Sequence, residues 1–596
     1  MATPEMTGVE QPAITWLVAL GYEYLPGSAV KQEHKNQVLI LEDVLCERLL
    51  VLNPWLAQVN NGVAQALRQL RNVWTADSSQ DSAMQTNQMF WRDFLMASNV
   101  QVHDSQADRK RSVKFFEPIN TKNNKFHVVN QYIGENAQGD EFKPDLLLFI
   151  NGIPLGVVEC KKSSEKISKG IDQLLGYQQH FPRHFSYQQV CAVVNRVEAK
   201  YGTLGTPETF YFYYKLEQAE EQEVKRLLPA SIGSEPTEQD KLLWALFEPS
   251  RFLRLVCHFV IFEQEKHGLV KKLPRYQQWR AVEKTMSRLT ANTQGIYASD
   301  VAPIEGSDGI KSVPETGGVV WHTQGSGKSL TMAMLARLLR SESAGLDNPS
   351  ILVLTDRTDL DDQISNTFSN VGLQVTRVPS VSGLEKLLSN DYGSIFTSTV
   401  HKFQDREEDT PEQAEKKAVD SWQIHVSPNT PDIRIRKRQG NGKILVAQER
   451  NINFAKMNEQ ADDGSQNNIK AKWQLIRKYE EPCLTRIRKV ADNDDYFIIQ
   501  ERNANFEMLD AQGNLQSAKW IEENREKVTF TTLSNKSNFY VLVDEAHRSQ
   551  YGFLAAFMRA SLPNAKFIAF TGTPLQKDER NTLGEFGGKD YIDTYK

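Results

Sequence analysis

Apolar residues recur at helical spacing over residues 10–20 and stop at Gly21, which predicts a helix closed by a C′ glycine. Strand-like runs follow. Residues 126–132 and 144–150 read as strands, Asn151-Gly152 is a strong hairpin-turn signal, and residues 155–160 read as the returning strand. Helical spacing resumes over 168–180, Val190–Val194 is again strand-like, and an apolar run over 253–262 ends the block. A lysine-rich connector (Lys266, Lys271, Lys272) and Pro274 are expected to separate this first α/β unit, residues 1–262, from the next.

The second unit, 263–596, opens with a helix from Arg275 and continues as strand–loop–helix repeats. Strands are predicted over 318–321, 351–355, Ile395–Thr399, Phe539–Asp544 and 567–571, with a helix from Gly327. Such alternation implies a parallel sheet covered on both faces. Residues 405–538 exceed what one βα unit requires, are polar and contain dense charge (Arg434-Ile435-Arg436-Lys437-Arg438). With no repeat or catalytic motif there, the expectation is an inserted subdomain or a disordered loop.

Composition narrows the class without naming a chemistry. A chain of 596 residues that is 40% hydrophobic and 24% charged excludes collagen-like, mucin-like and wholly disordered readings. At ~150 residues per domain it suggests three to four domains, or two large ones with insertions. No apolar stretch approaches the ~18–20 residues of a membrane span, and the first residues lack the basic and apolar regions of a secretory signal. Cys46, Cys160, Cys191, Cys257 and Cys483 are scattered with no C-x-x-C pair, against a disulfide framework or zinc ribbon. A cytoplasmic chain without membrane partners is the expectation. The net charge of −5 carries no signature of a nucleic-acid binder and excludes none, since phosphate recognition needs only a local basic surface.

Thr323-Gln324-Gly325-Ser326-Gly327-Lys328-Ser329 follows a strand and opens a helix. That context suits a phosphate loop: backbone N–H groups and the helix N-terminus face phosphate, Lys328 reaches the β/γ oxygens and Ser329 ligates Mg²⁺. The strict G-x-x-x-x-G-K-[ST] form fails at its first position, which is His322. Val541-Leu542-Val543-Asp544-Glu545 is an apolar strand ending in two carboxylates. Asp544 suits Mg²⁺ and Glu545 suits polarisation of the attacking water. Lys328 and Asp544 then share the carboxyl ends of parallel strands, where such sheets bind ligands. Together these segments resemble superfamily 2 helicase-like motors of the DEAH-box type. The resemblance implies that Arg275 and Gln278 belong to an adenine-reading element. It further implies that Thr355-Asp356-Arg357 and Thr397-Ser398-Thr399 grip a nucleic-acid backbone, and that Thr571-Gly572-Thr573-Pro574 and His547 couple nucleotide state to strand movement.

A second constellation is Pro144-Asp145 followed by Glu159-Cys160-Lys161. Two carboxylates that hold Mg²⁺ and a lysine that orients water or offsets charge suit phosphodiester hydrolysis. Glu159 and Lys161 are i, i+2 on a strand and share a face, with Cys160 opposite. Register makes a demand. A plain two-residue turn at Asn151-Gly152 pairs Asp145 with Val158, facing away from Glu159. A three-residue Asn151-Gly152-Ile153 loop, or an equivalent bulge, brings Asp145 opposite Glu159 and is therefore predicted. Gln173 and Tyr177 share one helix face at i, i+4, and Glu10 on the first helix is an ordinary solvated glutamate or, as a resemblance to PD-(D/E)xK nucleases implies, an additional acid at the metal site. His180 and His184 are also i, i+4, but Pro182 between them argues against a metal site. P-D…E-x-K with Q-x-x-x-Y resembles PD-(D/E)xK nucleases.

A nuclease domain of that type ahead of a DEAH-type motor resembles the restriction (R, HsdR) subunit of type I restriction-modification enzymes. Val128-Val129-Asn130-Gln131, Lys143-Pro144-Asp145 and Asn151-Gly152-Ile153-Pro154-Leu155 all look like that family's nuclease block. The resemblance implies an ATP- and Mg²⁺-dependent subunit. It would join modification (methyltransferase) and specificity subunits, translocate double-stranded DNA and cleave unmethylated duplex away from the recognition sequence. Few residues follow Pro574, so a second RecA-like lobe is expected to be absent and the chain to be an N-terminal fragment. Translocation by it alone is not expected. The alternatives are a nuclease–helicase fusion of DNA-repair or single-chain restriction type, and a DNA-binding assembly subunit with vestigial sites.

Overall fold

A computed structural model describes residues 5–30, 39–291 and 317–399, with short gaps, the strands between 422 and 528, and most of 533–544 and 561–595. The first helical segment runs as a π turn, Met6–Glu10, into the α-helix Gln11–Ala19. Its end is a Schellman motif: Gly21 N–H donates to Val18 O (3.0 Å), Tyr22 N–H donates to Leu17 O (3.1 Å), and Gly21 has φ +112°.

The first unit is built on a six-stranded mixed sheet in the order Glu23–Pro26, Phe126–Asn130, Leu146–Ile150, Ile153–Cys160, Val190–Val194, Ala199–Gly202. Its four central strands are buried along their whole length, so they read as apolar runs rather than alternating ones. The central hairpin turns tightly. Ile150 pairs with Ile153, and Asn151 (φ +52°) and Gly152 (φ +82°) form the two left-handed positions of a type I′ turn. The register then slips. Phe149 pairs with Pro154 but Leu148 pairs with Gly156, so Leu155 is an extra residue on the returning strand. Leu147↔Val157 and Leu146↔Val158 follow. The turn is thus the short one, and the bulge supplies the register that brings Asp145 level with Glu159.

The second unit has a seven-stranded, all-parallel sheet: Val375–Arg377, Ile395–Thr399, Ser350–Thr355, Phe539–Asp544, Lys566–Thr571, Gly318–His322, Tyr591–Tyr595. Its last strand, beside Gly318–His322, has no counterpart in the elements predicted from sequence. Side chains alternate between faces. Val320, Ile351, Val353, Leu542 and Ile568 join the core that continues into the first unit, whereas Val319, Leu352, Leu354, Val541 and Ala569 build a separate cluster on the other face. Within 405–538 the backbone forms antiparallel strands, the longest pair being Tyr496–Leu509 with Leu515–Val528. Among the described residues no helix is long and apolar enough to cross a membrane.

The expected lysine-rich connector is instead a packed seam. Ile261–Glu265 and Gly268–Lys272 form an antiparallel hairpin, and Lys271 is buried. Its ammonium donates to Asn87 Oδ1 (2.7 Å), Gln189 Oε1 (2.7 Å) and Gln188 O (3.1 Å). Burial pushes Lys271 well below its ordinary pKa. Tyr201 OH donates to Pro274 O at 2.7 Å. From the second unit's helix Lys328–Leu339, Arg337 crosses the seam. Its guanidinium lies 4.2 Å from the Trp91 ring centroid and donates to Val260 O at 2.9 Å and to Cys257 O. A spaced pattern of lysines could not distinguish a solvated linker from this, because the partners come from distant segments.

Candidate active sites

The bulged hairpin and its neighbours converge on Asp145. Its Oδ2 accepts from Cys160 N–H at 2.7 Å, and its Oδ1 accepts from the Gln131 side-chain amide at 3.1 Å. Glu159, 1% exposed, accepts from Lys161 Nζ at 2.6 Å through Oε1, while its buried Oε2 has no hydrogen-bond partner. Burial first, and the neighbouring Asp145 second, push Glu159 well above the usual carboxylate range against the pull of Lys161. Burial alone would lower Lys161, but the Glu159 carboxyl beside it raises it above its ordinary value. Glu5 stands 3.7 Å from the same ammonium.

Glu10 is a buried member of the cluster, not a solvated helix residue. It accepts from Asn130 Nδ2 (2.8 Å) and Gln131 Nε2 (3.2 Å), and burial raises its pKa above the ordinary value. Its link to Asp145 runs through the Gln131 amide. Gln131 itself sits at φ +49°, a left-handed conformation costly for a residue with a side chain, and its N–H donates to Asp145 O at 3.0 Å. The sequence places Asn130 and Gln131 in a segment that looks like a nuclease block but assigns neither a contact; their hydrogen bonds to Glu10 and Asp145 come from the fold. Gln173 Nε2 donates to Tyr177 OH at 3.1 Å, and Tyr177 OH donates to Lys143 O at 2.9 Å. The Q-x-x-x-Y pair thus fixes the main chain two residues before Asp145. His184 packs against Phe142 and Phe181, and burial holds it down at about 3, a neutral ring in an aromatic cluster.

For a metal, the fit rests on Asp145 and Glu159: adjacent carboxylates with an orphaned buried oxygen are hard ligands that suit Mg²⁺. Among the described residues no group of three or more His, Cys, Asp or Glu side chains forms a ligand cluster.

The glycine-rich loop 323–327 lies at the carboxyl end of Gly318–His322. Gly325 and Gly327 both adopt φ +82°, and Lys328 begins the following helix. A Cβ at Gly327 would lie 2.4 Å from Gln278 Nε2, so a larger residue would push that side chain aside as well as strain a φ of +82°. Gln278 donates to Gly327 O (3.3 Å) and Ser326 O (3.4 Å) while its Oε1 accepts from Arg275 N–H (2.9 Å). It therefore ties the loop to the start of the helix Tyr276–Ala291. Arg275 instead lies over the Phe212 ring of the first unit, 4.5 Å from its centroid. Ser326 Oγ is buried without a partner, a polar atom suited to a phosphate oxygen. Lys328 is buried and Ser329 half-buried. Gly572, between Thr571 and Thr573, lies beside the loop: Trp321 Nε1–H donates to its carbonyl at 3.0 Å, and a Cβ there would be 3.6 Å from Lys328 Nζ.

Asp544 ends the strand next to Lys566–Thr571, and Thr355 pairs laterally with Thr399, so these three lie at the same carboxyl end of the sheet as the loop. Thr355, Thr397 and Thr399 are buried, and Thr397 Oγ1 has no partner. Thr573 is exposed. Asp356, Arg357, Glu545 and His547 lie outside the described residues.

Two family matches divide the chain in the same way. Residues 5–210 match the type I restriction enzyme R protein N terminus, and residues 277–426 and 436–596, more than half of the chain, match the SWI2/SNF2 ATPase. A putative type I restriction enzyme endonuclease subunit of Methanocaldococcus jannaschii is 24% identical over 98% of this chain and 44% of its own length. The type I restriction enzyme HindI endonuclease subunit of Haemophilus influenzae is 25% identical over the same shares. Type I endonuclease subunits of Staphylococcus aureus are 25% identical over 47% of the chain and 26% of theirs. The chain spans less than half the length of the relatives it matches most fully.

Proposed function

The chain belongs to the type I restriction enzyme R-protein family, its N-terminal domain joined to a SWI2/SNF2 ATPase, and on that premise we propose that it is the cutting and motor part of a type I site-specific deoxyribonuclease. Residues 1–262 act as a PD-(D/E)xK endonuclease domain and 263–596 as the first RecA-like lobe of a DNA translocase. The observation that carries the reading is the bulged hairpin that sets Asp145 level with Glu159 and Lys161 in a chain that also carries a glycine-cradled Lys328.

Asp145 and Glu159 would hold Mg²⁺, which would supply Lewis-acid polarisation of the scissile phosphate and an activated water. Lys161, paired with Glu159 at 2.6 Å, offsets the charge that develops on the phosphate oxygens. The Cys160 N–H and the Gln131 amide hold the Asp145 carboxylate, Glu10 supports it through Gln131, and Tyr177 fixes its main chain. In the other half, the loop N–H groups and Lys328 bind ATP phosphates, Ser329 and Asp544 suit the Mg²⁺ of the nucleotide, and Glu545 orients water. Thr571, Thr573 and His547 relay nucleotide state, and Thr355, Asp356, Arg357, Thr397 and Thr399 serve the DNA track. The substrate is unmethylated double-stranded DNA, the partners are modification and specificity subunits, and the setting is the cytoplasm.

The test is ATP-dependent cleavage of an unmethylated plasmid by the complete complex, with Asp145→Ala and Lys328→Ala in parallel. Asp145→Ala stops cutting and spares ATP hydrolysis; Lys328→Ala stops both. Cutting that needs neither ATP nor the partner subunits overturns the reading.

A further inference from the structure

His322 stands where a strict phosphate loop has its first glycine, and its side chain is wholly buried. The structure gives that departure a partner. His322 Nε2–H donates to Asp593 Oδ2 at 2.8 Å; because a carboxylate only accepts, the proton is on Nε2. The Asp593 side chain is 1% exposed, an expensive place for a carboxylate unless donors surround it. They do. Arg280 Nε–H donates to Oδ1 at 2.8 Å and Lys284 Nζ to the same oxygen at 3.1 Å. Burial alone would raise Asp593, but the His322 hydrogen bond and the Arg280 charge pull it down to about 2.

The strand that carries Asp593 continues the argument. Tyr591–Tyr595 pairs in parallel with the loop's own strand, and Thr323 N–H, the first donor of the loop, is held by Tyr595 O at 3.0 Å. The same cations reach the first unit: Lys284 Nζ donates to Glu217 Oε1 at 2.6 Å, and Arg280 Nε stands 3.4 Å from it. Glu217 is the N-cap of the helix Gln218–Leu227 and forms a capping box there.

We propose that Asp593 is a positioning residue for the nucleotide site, holding the start of the phosphate loop through His322 and sharing that hold with Glu217 of the first unit. The proposal rests on the reading of residues 323–329 as an ATP site. A glycine in place of His322 would leave the loop's entry free to vary its backbone; a buried imidazole locked to a carboxylate does not. The loop N–H groups are then preorganised for phosphate before it arrives, which lowers the ordering cost of binding.

The experiment titrates a fluorescent ATP analogue into the 596-residue chain and follows hydrogen exchange of the 322–328 segment, with the thermal midpoint as a control for folding. Asp593→Asn and His322→Phe are expected to weaken the analogue about tenfold, equivalent to one lost well-placed hydrogen bond to a charged group, and to speed exchange in that segment. His322→Gln keeps an N–H donor and restores most of the affinity. If the folded His322→Phe variant binds the analogue within about twofold of the parent, with unchanged exchange, the positioning role is overturned even where Asp593→Asn does not fold. Lys328→Ala separates the two claims: unimpaired binding there removes the nucleotide site itself, whereas loss there with unimpaired His322→Phe removes only the role of Asp593.

Discussion

The main-chain N–H of Cys160 donates to Asp145 Oδ2 at 2.7 Å, and this one bond fastens the end of one strand to the end of the next. It exists because Leu155 is an extra residue in the returning strand. Without it, Asp145 would fall opposite Val158 and face away from the Glu159–Lys161 pair. The bulge thereby re-aims a side chain at the end of a buried hairpin.

Replacing Asp145 with asparagine preserves an acceptor for Cys160 N–H while removing the charge. The fold is expected to survive, with an unchanged thermal midpoint, and plasmid cleavage to fall by at least ~10³-fold while ATP hydrolysis continues. Equal loss of both activities would mean that Asp145 serves the fold or the motor instead.

Glu159 is held well above the ordinary carboxylate range chiefly by burial, so its ionised form opposes folding at neutral pH. Glu159→Gln is therefore expected to raise the thermal midpoint while abolishing cleavage, a site that trades stability for function. A lowered midpoint would show that the Lys161 pairing outweighs desolvation.

Gly152 holds φ +82°, and a Cβ there would lie 2.4 Å from Leu41 O, whose own N–H donates to Gly152 O. Gly152→Ala should cost about 1–3 kcal/mol in urea unfolding, combining a left-handed backbone with a backbone clash. Cleavage should fall with it, since the turn sets the hairpin's pairing. A neutral substitution would show that the turn differs from type I′.

His184 and His258 are both pushed down to about 3, by burial first and by neighbouring arginines second, from an ordinary value of 6.5. A depressed histidine contributes stability that is complete above its unfolded pKa and declines as pH falls from there toward the folded value. Unfolding free energy should therefore drop between pH 7.5 and 5 by about 2 kcal/mol per histidine. Glu10 and Glu159, raised in the fold, oppose this, so the comparison uses His184→Leu and His258→Leu. Each should flatten the pH slope, and an unchanged slope in both contradicts the assignment.

Arg337 donates to two carbonyls at the end of the π-helix Leu255–Phe259 and stacks on Trp91. Arg337→Ala leaves those carbonyls without their donor and should cost about 2–5 kcal/mol. The loss should appear as a separate, earlier unfolding step for one of the two halves in calorimetry. A single transition at the parent temperature would show that the seam does not depend on this contact.

Much of this protein follows from its sequence because the deciding preferences are local. The glycine stop at Gly21, the Asn151-Gly152 turn, the shared face of Glu159 and Lys161, and the glycine-rich loop before Lys328 depend on residues one to four positions apart, where backbone sterics alone decide. The need for a shift in the hairpin register was legible too, although not whether turn or strand would supply it. Tertiary structure decided the rest. Asn130 meets Glu10 across 120 positions and Asp593 meets His322 across 271. Lys271 is buried by Asn87 and Gln189, although a spaced set of lysines reads as solvated. No local pattern encodes these pairings, because a buried charge selects whichever distant donor or acceptor the packed sheets bring within hydrogen-bond reach, and that choice exists only once both sheets have formed.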